Sequence, residues 1–131
     1  MSDIMKSRRS TRKTKAFTLI ELLVVVLILG VLTGISLPAY ISSVQTSRQN
    51  SANANARALA TAVQARAIAT GSYDTTLADY ATDMGGSLPT NPCTGTATGY
   101  SIVGTSNSAT VSASVGSNCG SWTPATFSMN R

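Results

Sequence analysis

The sequence predicts an α+β chain, in which a long N-terminal helix, membrane-spanning in its first half, packs against a small antiparallel β-sheet of about three strands. Three observations predict it. Phe17 to Pro38 is an apolar run with the length, roughly 20 residues, that a helix needs to cross a hydrocarbon core. From Ala39 to about Thr70 the chain is rich in Ala, Gln and Arg, lacks Pro and Gly, and repeats apolar residues at helical spacing. Beyond Thr98, apolar residues alternate with Ser and Thr at period two between turn residues.

Charge divides the chain at the start of the apolar run. The 131 residues carry a net charge of +5, with a pI near 9.7, which ordinarily points to nucleic acid or a membrane surface. The basic excess lies wholly ahead of Phe17, in Lys6, Arg8, Arg9, Arg12, Lys13 and Lys15 against Asp3. After it, Arg48, Arg57, Arg66 and Arg131 balance Glu21, Asp74, Asp79 and Asp83. A basic tail ahead of an apolar helix is a topology signal: it stays cytoplasmic and sends the residues after Pro38 outward. No specific nucleic-acid contact is expected, and the tail is left out of the fold. An ordinary secretory signal, cut at Gly34-Ile35-Ser36 to release a chain starting at Leu37, is the competing reading; the length of the run and Glu21 at its head count against it.

Glu21 is the residue an ordinary anchor lacks. A carboxylate inside an apolar segment costs several kcal/mol and signals function. The block Lys15-Ala16-Phe17-Thr18-Leu19-Ile20-Glu21-Leu22-Leu23 resembles the leader junction of type IV pilins and their pseudopilin relatives. The resemblance implies that a prepilin peptidase cuts between Ala16 and Phe17 and methylates the Phe17 amine, and that Glu21 serves assembly. Ala16 stands where the family usually has Gly, one small residue for another. Gly30 and Pro38 fall where the family has its helix-perturbing residues, and the resemblance implies that the segment around Gly30, Gly34 and Pro38 loses helicity in the filament. Read from the residues alone, Pro38 interrupts helical hydrogen bonding, and Gly30 with Gly34 forms a small-xxx-small packing face.

The expected organisation follows: a cleaved leader at 1–16, the transmembrane and assembly half of the helix at 17–38, and its amphipathic half at 39–71. A connecting loop with a short helix occupies 72–97, and a sheet region with a disulfide occupies 98–131. In the amphipathic half, Ala52, Ala56, Leu59, Val63 and Ala67 make one apolar face and Gly71 is the stop. Arg48, Arg57 and Arg66 recur every nine residues, half a revolution apart, so they form no single basic stripe. They are expected to be solvated or paired with Asp74, Asp79 or Asp83 of a neighbour. Leu77, Tyr80, Ala81 and Met84 share helical spacing between a cap at Asp74 or Thr75 and a stop at Gly85-Gly86. Strands are expected at Thr98–Val103, Ala109–Val115 and about Ala125–Met129, with Val111, Ala113 and Val115 on the buried face, a turn over Gly104–Asn107, and Trp122 partly buried.

Cys93 and Cys119 lie in the outward-facing part, where an even pair reads as a disulfide, with free thiols or a metal site as alternatives. With no His in the chain, zinc lacks ligands. A bridge closing a loop of about 27 residues stabilises by roughly 3 to 4 kcal/mol in the chain-entropy model.

Three function classes compete. A filament subunit explains the junction and Glu21. Its partners would be copies of itself and minor pilins, the prepilin peptidase/methylase, the membrane, and an inner-membrane assembly platform. It would pass from a single-pass inner-membrane protein to an extracellular pilus serving adhesion, twitching motility or DNA uptake. Within that class a pseudopilin of type II secretion or competence is the alternative. Major secretion pseudopilins resemble pilins but usually hold calcium in a late acidic loop, and here no Asp or Glu follows Asp83. An enzyme is not expected, since general bases and nucleophile pairs are scarce without His. Neither catalytic nor metal residues nor a cofactor is assigned. A membrane-anchored monomeric binding module leaves Glu21 and the leader unexplained.

Overall fold

The computed structural model describes residues 16–131, so the basic tail falls outside the described residues. Two compact units divide at Leu37/Pro38. Helix α1, Leu19–Thr70, contributes to both, and Pro38 lies inside it.

In the first unit, every described residue is exposed, including Leu22, Leu27, Ile28, Val31 and Ile35 at 52–72%. An unbroken run of Leu, Val and Ile favours helix here because the backbone is satisfied within the segment, which a low-dielectric surrounding demands. Gly30 and Gly34 are helical, and a Cβ at either would meet nothing within 4 Å.

The second unit is built on the lower half of α1. Ala52, Ala56, Leu59, Val63 and Ala67 are all buried, the face expected from their spacing, and Ala60 joins them. Gly71 then takes φ 84°, and its N–H donates to the Ala67 carbonyl at 2.9 Å, ending the helix in the left-handed conformation that only glycine adopts cheaply. The Arg131 guanidinium donates to the Gly71 carbonyl, placing a cation at a helix end whose last turn has none of its own.

The connection contains a 3-10 turn, Leu77–Asp79, running into a single α-turn, α2, Tyr80–Asp83. The expected short helix is therefore split. Asp74 does act at its start: its carboxylate accepts the Thr76 N–H at 2.9 Å, and the Thr76 donors hold its carboxyl below the usual value. Tyr80 is fully buried, its hydroxyl donating to the Asp74 carbonyl at 2.6 Å, and burial pushes its phenol up.

Strands β1 (Tyr100–Thr105), β2 (Ser108–Ala113) and β3 (Thr126–Asn130) form an antiparallel sheet in that order. Val111 of the central strand pairs with Ile102 and Phe127. Ala109, Val111 and Ala113 point into the core, with Thr110 and Ser112 on the wetter face. Two details differ from expectation. Gly104 belongs to β1, paired with Ala109, rather than to the turn, which shrinks to Ser106-Asn107. Val115 is 57% exposed, because the chain leaves the sheet after Ala113 to reach the turn that carries Cys119. Leu59, Val63 and Val111, each fully buried, supply about 1.5–3 kcal/mol apiece to a core shared by helix and sheet. Trp122, Phe127 and Met129 close its margin, partly buried.

Candidate functional site

The start of α1 is the first place where side chains make specific contacts. Thr18 immediately precedes the helix, and Glu21 is the acid of its first turn. The Glu21 N–H donates to Thr18 Oγ1 at 3.3 Å and to the Thr18 carbonyl at 3.1 Å. In return, the Thr18 hydroxyl donates to Glu21 Oε2 at 3.5 Å. Thr-x-x-Glu is the sequence signature of a capping box, and the carboxylate also sits where the positive end of the helix dipole favours it. Sequence reasoning gives Glu21 a role in assembly but no partner within its own chain. The motif that would have revealed its local partner, Thr18-Leu19-Ile20-Glu21, was in plain view.

The chemical consequence is that Glu21 has a neutral donor in its own chain and no cation among the described residues. Phe17, one residue ahead of Thr18, is 84% exposed, and Ala16 is exposed too. The junction is therefore sterically open, and the acid lies four residues from the nitrogen that a cut after Ala16 would free. Further along, the Thr33 hydroxyl donates to the Leu29 carbonyl at 2.7 Å, satisfying its own polar group within the apolar segment.

A second organised region surrounds the cysteines. Cys93 and Cys119 form a disulfide with Cα atoms 5.0 Å apart, both fully buried. Asn91 is the node of this region and is itself fully buried. Its amide nitrogen donates to the Gly99 and Ser114 carbonyls, the second at 3.1 Å, and its Oδ1 accepts the Cys93 N–H at 2.8 Å. Gly99 is required beside it, since a Cβ there would collide with Asn91 and Thr94. Polar residues of α1 hold the loop backbones from the other side. Arg48 donates to the Asn118 carbonyl at 3.1 Å, Gln49 to the Cys119 carbonyl at 2.8 Å, and Asn53 Oδ1 accepts the Ala125 N–H at 3.0 Å. Sequence reasoning missed the roles of Asn91, Gln49 and Asn53, because nothing in composition tells a solvated amide from one that ties a distant loop.

The arginines were expected to be solvated or paired with a neighbour. Instead, Arg66 pairs with Asp83 of its own chain at 3.3 Å and donates to the Asp79 carbonyl at 2.7 Å, and its guanidinium lies 5.3 Å from the Tyr80 ring centre. Arg57 stacks on Phe127 at 5.3 Å. No group of three or more metal-ligating side chains occurs among the described residues.

Comparison with known proteins bears on the first region. Residues 11–37 match the prokaryotic N-terminal methylation motif. The chain is 41% identical over 58 residues to the type IV major pilin protein PilA of Myxococcus xanthus (strain DK1622), a match taking in 44% of this chain and 26% of that protein. No solved structure matches. The apolar half of α1 fits a single-pass membrane anchor. A pilin-like α+β fold thus carries an N-terminal methylation motif at its head, and the likeness to type IV pilins that the junction residues announced is the one the comparisons return.

Proposed function

We propose that this chain is a structural subunit of a type IV pilus-like filament. It would be cut between Ala16 and Phe17, N-methylated at Phe17, and assembled from the inner membrane with its second unit outside. The observation that carries the reading is an entirely uncovered apolar helix surface with Glu21, capped by Thr18, at its head. In the precursor the Phe17 nitrogen is an amide and offers no charge. Cleavage frees an amine, which stays protonatable after methylation. In a bundle of helices, a carboxylate that exchanges the Thr18 hydroxyl for a neighbour's ammonium gains a charge-assisted bond where the dielectric is low. A mismatched register leaves it unpaired at a cost of several kcal/mol. Cleavage therefore acts as the assembly switch, and Glu21 selects the register. The segment from Gly30 to Pro38, whose Gly34 carbonyl has no proline N–H to receive, is where the helix would extend in the filament.

Pilin is favoured over pseudopilin because no Asp or Glu follows Asp83, which deprives the sheet region of the carboxylates calcium prefers. Service in adhesion, twitching motility or DNA uptake belongs to the same proposal, as do minor pilins, the prepilin peptidase and an assembly platform as partners. The test is intact mass and N-terminal sequencing of material sheared from whole cells, alongside Glu21→Ala. The expected protein begins at methylated Phe17 in a filament fraction, and the Glu21→Ala chain is inserted and cut but absent from that fraction. Normal filaments from Glu21→Ala, or a chain still beginning at Met1, would refute the proposal.

A further inference from the structure

One flank of α1 in the second unit carries an unfilled apolar groove. Arg57, Thr61, Ala65 and Ile68 line it on the helix and Met129 lines it on β3, a shallow groove of about 390 Å³ open to solvent. Ile68 is 74% exposed in it. Arg57, held at the margin by its stack on Phe127, has no carboxylate within ion-pair distance among the described residues.

The opposite flank carries the complement. Arg66 lies nine residues on from Arg57, half a revolution around the helix. It clamps the 3-10 turn Leu77–Asp79 through the Asp79 carbonyl and the Asp83 carboxylate. Ala78 and Asp79 are left exposed, and the Asp79 carboxylate has no ion-pair partner among the described residues. A small apolar residue beside an unpaired acid, on a turn already fixed in place, matches an apolar groove with an unpaired cation at its margin.

We infer that the groove of one copy receives the Ala78–Asp79 turn of a second copy, with the incoming Asp79 facing Arg57. The inference rests on the filament reading and adds the surface through which the outer units meet. Because donor and acceptor lie on opposite flanks of one helix, the contact is heterologous: each copy gives a turn on one side and accepts one on the other, so association propagates instead of closing as a twofold dimer. Arg66 fixes the turn beforehand, so little ordering is lost on contact.

Charge reversal tests it in the full chain, in cells, by the filament yield after shearing. Arg57→Glu sets like charges opposite each other and is expected to lower the yield at least about tenfold, as is Asp79→Arg. The double variant Arg57→Glu/Asp79→Arg restores the attraction in reverse and is expected to recover most of the yield. Membrane abundance and an N-terminus at Phe17 are checked for every variant, and recovery in the double variant excludes misfolding as the cause of the single losses. Wild-type yield from either single variant, or no recovery in the double variant, overturns the pairing while leaving the filament intact. Absence of filaments from the unaltered chain instead overturns the filament reading itself, and the pairing with it.

Discussion

Asn91→Asp changes one atom's chemistry and almost no volume, so its effect isolates hydrogen bonding from packing. In the native chain the Asn91 amide nitrogen donates to two carbonyls, those of Gly99 and Ser114, at a site with no solvent exposure. A carboxylate donates to neither. It takes a donor from each, leaving the Ser114 carbonyl without this partner, at about 1–3 kcal/mol, and the Gly99 carbonyl with only the Ser114 N–H at 2.9 Å, and it aims a buried negative charge at both oxygens. The expected loss at pH 7 is about 3–5 kcal/mol. For a unit of this size that lowers the thermal midpoint by about 12 °C or more. Circular dichroism melts of the full chain in detergent, with the disulfide intact, measure it. The loss depends on pH with a definite sign. Burial raises the pKa of the introduced carboxyl in the folded state above its unfolded value of about 3.9, so the folded variant binds more protons than the unfolded one. Stability then falls as pH rises from the unfolded pKa through the folded one, and the deficit is smallest near pH 4. The parent, with an amide, shows no such component. A variant melting within about 4 °C of the parent at pH 7, or a deficit that ignores pH, would show that Asn91 is not the node described.

Other perturbations probe other links. Leu59→Ala removes a fully buried side chain shared by helix and sheet and is expected to cost about 3–4 kcal/mol in the same melts. Cys93→Ser with Cys119→Ser opens a loop spanning 26 positions; about 3–4 kcal/mol should be lost, and reduction of the parent should reproduce most of that loss. Thr18→Val removes the hydroxyl that caps α1, worth about 1 kcal/mol. Amide exchange at Glu21 and Leu22 in detergent should then quicken by about fivefold, with residues beyond Val25 unchanged.

How much of this was legible beforehand depends on how local the cause is. Helix α1, its buried face from Ala52 to Ala67 and its stop at Gly71 rest on periodicity and one left-handed residue, both properties of short stretches. The stretch from Ala16 to Glu21 is likewise a contiguous motif, and the match to the N-terminal methylation motif over residues 11–37 falls on it. The alternation Val111, Ala113 revealed the inner face of the central strand, but not where the strand ends. Val115 continues the pattern in sequence yet is exposed, because the departure of the chain towards Cys119 is set by contacts tens of residues away.

The sequence by itself determined what depends on neighbours along the chain: an apolar span headed by a single acid, an Ala-rich amphipathic helix, and period-two strands. Only the tertiary structure decided which polar groups are paid for, and by whom. Asn91, Gln49 and Asn53 look like surface amides until the loop closed by Cys93 and Cys119 brings carbonyls and amides from 23 to 72 residues away into reach. Arg66 turned inward to Asp83 and Asp79, and among the described residues no acid lies within ion-pair distance of Arg57. A hydrogen bond needs a partner within about 3 Å, and a linear pattern carries no information about such distances until the backbone has folded.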